Sequence, residues 1–332
     1  MAPTLDNSHP SHPSQVPAEA APSEPTRVLS VVEGASGAAE PTAGAQPRLF
    51  SERIRTRQRV WWAKPNKWRN RESYRHLLHR FKETHVLRSK DDPDHKWHCC
   101  GLWQRALSNK WNAREFVQRY GCRVPALYWY GRRPGALPID SLPAHFVIRP
   151  GWGASGEGVH VLAHGRDLLH ERLYSKEQLM AQLRRDQGWV SRFPILVEEF
   201  VKTETGDHAL PIEYKCYTFA ATVGAIQVVQ QTGHEARHRF YTPTWDPFAD
   251  QMSTHNPPAE YIDPPRCLEE ILACARRLGV AYGTFVRVDC YATDKGCVFG
   301  EFSSTPLDGR EFTAFADKYF GELWDATFPD RT

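Results

Sequence analysis

A glycine-rich loop between two strand-like runs constrains the fold of this chain more than any other feature. Residues 146–162 read FVIRPGWGASGEGVHVL, in which GWGASG fits the pattern G-x-G-x-x-G. A Rossmann turn leads from a strand into a helix, but here β-like residues follow the glycines and the next capped helix begins only near Ser175. A Walker A loop does not fit either, because no Gly-Lys-Ser/Thr follows, and the kinase motifs H-R-D and D-F-G are missing. The segment predicts a flexible glycine flap over a nucleotide, with Ser155 at its tip; a plain glycine-rich hairpin is the alternative.

The periodicity of the remaining chain predicts an α+β fold with mostly antiparallel sheets. Apolar residues at helical spacing predict one helix that ends at Gly121 and another, CLEEILACARRLG, that ends at Gly279. A third helix, SKEQLMAQLRRD, is opened by a capping box of Ser175 and Gln178. The runs that read as strands are HFVIR, GVHVL, ILVEEFV, IEYKCYTFA, AIQVVQQ, FVRVDCYA and CVFGEFSS.

Composition divides the chain into segments. Residues 1–48 are rich in Ala, Pro, Ser, Gly and Glu and have no periodic apolar face, so they predict a disordered tail. Residues 49–108 predict a basic, helical N-terminal lobe. Two α+β subdomains are expected to follow, over residues 109–202 and 203–332.

The segment 51–90 carries thirteen Lys and Arg residues against three Glu, with tryptophans interleaved. It is either a contact surface for an anionic polymer or membrane headgroups, or the solvated face of the helical lobe. The formal net charge of +3 is too small to imply nucleic acid, so no DNA partner is expected.

Nothing in the sequence indicates a membrane span or a signal peptide, which predicts a cytoplasmic protein.

The eight cysteines form no C-x-x-C pair. They are expected to be reduced thiols, several of them packed as small apolar groups, and structural zinc is not expected.

The C-terminal strand pair brings acidic residues together. Closing a hairpin over Asp294, Lys295 and Gly296, with Gly296 in a left-handed conformation, sets Asp289 opposite Glu301. Two carboxylates at that spacing repel each other unless a cation lies between them, and oxygen ligands of this kind suit Mg²⁺. The alternative is a structural ion pair of one carboxylate with Arg287.

In order along the chain, NKWNAREFV, FVIRPGWGASGEG, ILVEEFV, PIEYKCYTF, RVDCY and GEFSSTP resemble the motifs of an ATP-grasp enzyme over about residues 90–325. The segments FYTPTWDPF and GEFSSTPLDGREF are most similar to the TupA-like ATP-grasp proteins, which are linked to bacterial cell-surface polymer synthesis. The resemblance implies an ATP-grasp fold, in which two α+β subdomains clamp a nucleotide. The first would hold the glycine flap and adenine hinge, and the second the metal and substrate site.

The resemblance also implies roles for individual residues. The ATP-binding residues would be Lys110, Arg149, Ser155, Gly156, Gly158, Glu199, Phe200, Val201 and Glu213. Arg149 stands where the family usually has a lysine, and Glu199, Phe200 and Val201 match the adenine hinge. Asp289, Glu301 and Ser303 would hold Mg²⁺ or Mn²⁺. Arg287 and Lys215 would act on the transferred phosphoryl group, and Arg310 is a candidate clamp for an anionic acceptor.

The implied activity is an ATP-dependent carboxylate–amine ligase that works through an acyl phosphate, since such chemistry needs metal and cationic side chains rather than a nucleophilic triad. It would use a carboxylate and an amine substrate, in surface-polysaccharide or peptide-conjugate biosynthesis. Two alternatives remain: a kinase of a sugar or other hydroxyl acceptor on the same scaffold, and a non-catalytic protein that keeps the fold.

Overall fold

A computed structural model describes residues 86–99, 103–153, 156–190, 194–232 and 235–329. The predicted tail over residues 1–48, the N-terminal lobe up to residue 85 and the flap residue Ser155 lie outside the described residues. The helical lobe and the domain boundaries at residues 109 and 203 therefore stay predictions.

The first sheet has six strands in the order β1-β6-β2-β3-β4-β5, and every neighbouring pair is antiparallel. Leu179 and Leu183 of a helix over Lys176–Val190, α3, pack on this sheet in one apolar cluster. The predicted capping box of that helix is confirmed, because Ser175 N–H donates to Gln178 Oε1 (2.9 Å) and Gln178 N–H donates to Ser175 Oγ (3.2 Å). The strands are β1 Leu127–Gly131, β2 His145–Pro150, β3 His160–Ala163, β4 Arg166–Asp167, β5 Arg172–Leu173 and β6 Ile195–Glu199.

The second sheet has five antiparallel strands in the order β11-β10-β7-β8-β9. Side chains alternate between the two faces of β7 (Glu213–Phe219). Tyr214 and Cys216 join the apolar cluster around helix α4 (Leu268–Tyr282). Tyr217 and Phe219 pack against helix α5 (Ala314–Thr327) on the other face. The sheet is thus a layer between two helices. Its strands are β7 Glu213–Phe219, β8 Thr222–Thr232, β9 Glu235–Tyr241, β10 Phe285–Thr293 and β11 Gly296–Ser303.

The described helices are α1 Asp94–Trp97, α2 Lys110–Arg119, α3 Lys176–Val190, α4 Leu268–Tyr282 and α5 Ala314–Thr327. Helix α2 begins after Asn109, whose side chain accepts from Trp111 N–H (3.0 Å), and Gly121 follows it with a φ of 69°. The position of Gly121 confirms the predicted end of α2. Within the described segments, no helix is both long and apolar enough to cross a bilayer.

The predicted end of helix α4 at Gly279 is wrong. The helix continues to Tyr282 and is capped by Gly283, which has a φ of 75°. Gly279 lies inside the helix because of a close contact: a Cβ atom there would be 2.2 Å from the carbonyl oxygen of Ala220. This glycine allows α4 to approach the turn between β7 and β8, so it marks a packing contact rather than a helix terminus.

The predicted β10–β11 hairpin is confirmed, but its turn is one residue shorter than predicted, because Gly296 pairs with Thr293. Asp289 lies opposite Glu301, and Gly296 at the turn has a φ of 85°. The register shifts just after Asp289, and Gly300 occupies the bulge. A Cβ atom on Gly300 would be 3.0 Å from the ring of Tyr291 and 3.2 Å from the carbonyl oxygen of Asp289, so a larger residue would fit only if these neighbours shifted. The bulge turns the acidic end of the hairpin relative to the rest of the sheet.

Candidate active site

The facing carboxylates of β10 and β11 lie among cationic side chains. Asp289 is 3% exposed and accepts from Arg287 Nε (2.7 Å) and Arg287 NH2 (2.6 Å). Lys215 Nζ, from the neighbouring strand β7, is 3.3 Å from the same carboxylate. The ion pair between Asp289 and Arg287, which was the alternative to a metal site, is therefore present in the structure. Arg287 and Lys215 both contact this one buried carboxylate.

Glu301 is the more accessible member of the pair. Its carboxylate is 3.4 Å from Lys110 Nζ and 4.0 Å from Arg287 NH2. Desolvation opposes its ionisation, but the positive charges of Lys110, Lys215, Arg287 and Arg149 lower the pKa of Glu301 to about 2. Glu301 is thus an anion at any physiological pH, with one face open to solvent.

Lys110 connects the second sheet to the glycine flap. It is the first residue of helix α2, and its backbone N–H donates to the carbonyl oxygen of Gly151 (2.7 Å). Its ammonium group donates to the carbonyl oxygen of Gly153 (3.2 Å) as well as contacting Glu301. Its position at the start of a helix turns the side chain towards the flap and the acidic pair together.

Arg149 is held by contacts that the sequence did not predict. Its Nε lies 2.5 Å from a carboxylate oxygen of Glu198, which is 2% exposed, and its NH1 donates to the carbonyl oxygen of Gly300 (3.1 Å). Arg114 contacts the other oxygen of Glu198 at 3.1 Å. The sequence ILVEEFV could have identified Glu198 as a buried carboxylate, because adjacent residues of a strand point to opposite faces and Glu198 precedes Glu199. Arg149 therefore joins the two sheets at the bulge.

Glu213 and Lys215 share one face of β7, as predicted, and their charged groups are 2.6 Å apart. Burial disfavours the ammonium group, but the carboxylates of Asp289 and Glu213 raise the pKa of Lys215 above its usual value. Lys215 is a fixed positive charge at the edge of the acidic pair.

The predicted hinge lies at the end of β6. Glu199 accepts from Ala126 N–H (3.1 Å) and forms an ion pair with Lys295 at the turn of the β10–β11 hairpin. Phe200 and Val201 are buried immediately after it. The hinge residues are therefore at the turn end of the hairpin, and the acidic pair is about six residues, or roughly 20 Å, away along β11.

The flap joins β2 to β3 and so is a strand–loop–strand unit, as the sequence predicted. Gly156 and Gly158 have φ values of 72° and 68°, which residues with a side chain rarely adopt.

Ser303 lies opposite Arg287 in the hairpin register, on the same strand as Glu301. Arg310 follows a 3₁₀ turn and is partly buried. The metal role of Ser303 and the acceptor role of Arg310 stay predictions.

The chain belongs to the TupA-like ATP-grasp family, whose model matches residues 103–326. Its described part combines two antiparallel α+β layers, a glycine flap and a charged site at their junction, as the resemblance implied.

Solved structures with similar folds include ATP-grasp ligases. D-alanine–D-alanine ligase from Bacillus anthracis, complexed with ATP, is 14% identical with a TM-score of 0.44, and the alignment covers 68% of this chain and 67% of that one. The enzyme from Helicobacter pylori is 15% identical with a TM-score of 0.42, covering 69% and 60%. The ATP-grasp ligase PsnB, complexed with a minimal precursor, is 13% identical with a TM-score of 0.40, covering 67% and 60%. The chain thus spans 60–67% of the length of these proteins, and no curated protein matches its sequence.

Proposed function

We propose that this protein is an ATP-dependent carboxylate–amine ligase that forms an acyl phosphate, in surface-polysaccharide or peptide-conjugate biosynthesis. One observation carries the proposal: Asp289 and Glu301 face each other in register while Lys110, Lys215 and Arg287 contact them. Phosphoryl transfer requires charge neutralisation and positioning, and this cluster supplies both.

The donor set of the acidic pair suits a hard divalent cation. Asp289 and Glu301 offer carboxylate oxygens, and Ser303 adds a hydroxyl on the same strand, which are the ligands that Mg²⁺ or Mn²⁺ takes in proteins. When bound, the metal would neutralise charge on the β- and γ-phosphates. Arg287 donates to both oxygens of Asp289, and each oxygen keeps a further lone pair that a metal could use. The guanidinium would thus lie beside the metal, where it could contact the γ-phosphoryl group.

The remaining ATP contacts are those that the resemblance to the family implies. Lys110 and Arg149 would bind phosphate oxygens, with Gly156, Gly158 and Ser155 as the flap. Backbone groups at Glu199 and Phe200, with the apolar side chain of Val201, would hold the adenine, and Glu213 would contact the ribose. Lys110 supports this arrangement because it already contacts both the flap and Glu301.

The reaction has two transfers. A carboxylate oxygen of the donor attacks the γ-phosphorus, the bond to the bridging oxygen breaks, and ADP leaves. The amine nitrogen then attacks the carbonyl carbon, phosphate departs with the oxygen that came from the carboxylate, and the nitrogen loses a proton. Lys215 and Arg287 would stabilise negative charge on the transferred group. Arg310 would hold an anionic acceptor through two parallel hydrogen bonds.

A phosphate-release screen of amino acids and uronic acids tests this proposal. ADP and phosphate should appear only with a substrate carboxylate and a divalent cation, and hydroxylamine should convert the intermediate into a hydroxamate. Asp289→Asn should lose this turnover, because an amide does not carry the charge that holds the metal. A product phosphorylated on a hydroxyl, with no hydroxamate from any carboxylate, would assign the protein to the kinases instead.

The sequence adds two expectations outside this site. Residues 51–90 would contact an anionic polymer or membrane headgroups through their Lys and Arg side chains. The ATP requirement fits the predicted cytoplasmic location. Loss of binding to anionic vesicles on removal of residues 1–90 would support the contact, and unchanged binding would contradict it.

A further inference from the structure

Three cysteines from distant parts of the sequence meet behind the acidic hairpin. Cys274 of α4, Cys290 of β10 and Cys297 of β11 have Sγ atoms that all lie within 4.8 Å of one another. Their side chains are 7%, 0% and 5% exposed. Cys290 and Cys297 are diagonal neighbours across the β10–β11 pair, since Cys297 lies opposite Ala292. Helix α4 brings Cys274 over them.

A fourth thiol adjoins this group from the loop after α2. Cys122 packs against the apolar cluster that contains Cys274, Cys290 and Cys297. The loop is fixed there by a hydrogen bond from Cys122 N–H to the carbonyl oxygen of Val117 (3.1 Å). Cys122 is only partly buried, so the cluster reaches the surface on this side.

We propose that Cys122, Cys274, Cys290 and Cys297 bind one Zn²⁺ ion as a structural site. In a tetrahedral site the Zn–S distance is about 2.3 Å, which corresponds to sulfur atoms about 3.8 Å apart. The sulfur atoms of the three inner thiols are already within 4.8 Å of one another, so side-chain rotations that move each by about 1 Å or less give this spacing. Cys122 lies outside that group, and its side chain would turn towards it to become the fourth ligand. Four sulfur donors in an apolar shell select a thiophilic cation and not Mg²⁺.

Zinc binds cysteine as the thiolate, so binding releases the protons of the ligating thiols. A buried thiolate requires a counter-charge, which the bound cation provides. Arg277 donates to the carbonyl oxygen of Tyr120 at the surface edge, next to Cys122, where its charge offsets the excess negative charge of a four-thiolate site.

The zinc site would lie on the face of the second sheet opposite the acidic pair and would stabilise the hairpin that carries this pair. Cys290 directly follows Asp289 but points to the opposite face of the sheet, into the cluster around α4. Four ligands from four segments would tie the hairpin that carries Asp289 and Glu301 to α4 and to the loop after α2. Helix α2 in turn begins with Lys110, so the ion would fix the spacing between the acidic pair and its lysine.

Metal analysis of the full-length protein, made without a metal-binding tag and dialysed against weak chelator, tests the proposal. We expect about one zinc ion per chain, released when a mercurial reagent modifies the thiols and detected with a colorimetric chelator. Cadmium exchanged into the wild-type protein should give a sulfur-to-metal charge-transfer band in the ultraviolet. Zinc below about 0.1 per chain after growth in zinc-supplemented medium, with no cadmium band, overturns the site.

Matched variants assign the ligands. Cys290→Ala should lose zinc and the cadmium band, whereas Cys216→Ala should keep both, because Cys216 is equally buried on the same side of the sheet but lies outside the mutual 4.8 Å group. If Cys290→Ala does not fold, the mercurial titration of the wild-type protein still decides. All thiols reacting at one rate with no zinc released would show that these cysteines are only small core residues.

Discussion

The buried ion pair of Arg149 offers a measurable test of how the two sheets are joined. Arg149→Met removes the charge while keeping most of the volume. It deletes the contact to Glu198 at 2.5 Å and the hydrogen bond to the carbonyl oxygen of Gly300 at 3.1 Å. Glu198 keeps only Arg114, and the backbone at the bulge loses its donor from the other sheet.

The expected cost follows from the burial of the partners. Arg149 and Glu198 have side chains that are 13% and 2% exposed, so solvent does not replace the lost contact. Removing one partner of such a pair costs roughly 3–5 kcal/mol, and Arg114 reduces this to about 2–4 kcal/mol because it still neutralises the carboxylate. For a domain of this size the melting temperature should fall by roughly 4–16 °C.

Thermal unfolding without nucleotide, followed by circular dichroism, measures this loss. The matched control is Arg123→Met, because Arg123 pairs with Glu270 at 2.8 Å but both side chains are more than half exposed. Its melting temperature should change by less than about 3 °C. Titration calorimetry should show roughly 10–100-fold weaker ATP binding for Arg149→Met, an intermediate effect for Arg149→Lys, and none for the control. Equal melting temperatures for Arg149→Met and Arg123→Met would refute the reasoning.

Further outcomes are expected at other sites. Lys215→Met should lower kcat by roughly 100–1,000-fold with little change in ATP affinity, measured by coupled ADP release, because the lysine acts on the transferred group. Gly279→Ala should destabilise the protein by at least about 1–3 kcal/mol in urea unfolding, since its Cβ would meet the carbonyl oxygen of Ala220, whereas Val280→Ala in the same helix, 58% exposed, should change little. Burial disfavours the protonated form of His160, but the carboxylates of Asp167 and Asp186 favour it and raise the pKa of His160 above 6.5. Its stabilising contribution is therefore complete below pH 6.5 and lost as pH rises through the raised value, so the melting-temperature difference between wild type and His160→Gln should shrink between pH 6 and 9.

Much of the hairpin that carries the acidic pair was predictable from the sequence. The predicted turn over Asp294, Lys295 and Gly296 sets Asp289 opposite Glu301. In the structure the turn is one residue shorter, and the bulge at Gly300 restores this pairing. The capping box at Ser175 and the strand–loop–strand flap follow from equally local rules. These features involve residues that are close in sequence, so the pattern contains the information.

The features that the sequence did not predict arise from contacts between distant segments. Gly279 ends no helix because a turn far away in the chain approaches it, and periodicity does not report such an approach. Glu198 gains its role from Arg149 and Arg114 on other elements. The cysteine cluster follows the same rule: its members have no metal-ligand spacing in the sequence, and only the packing of α4 on the hairpin brings them together.

The transfer of carboxylate oxygen to phosphate tests the proposed ligase reaction most directly. A donor found in the screen is labelled with oxygen-18 in its carboxylate and incubated with ATP, Mg²⁺ and the amine, and the released phosphate is analysed by mass spectrometry. An acyl phosphate route leaves one labelled oxygen in each phosphate, because the carbon–oxygen bond of the donor breaks when the amine attacks. Asp289→Asn should yield no labelled phosphate. Unlabelled phosphate from the wild-type protein, formed at the same rate as the amide product, would contradict the acyl phosphate and with it the proposed function.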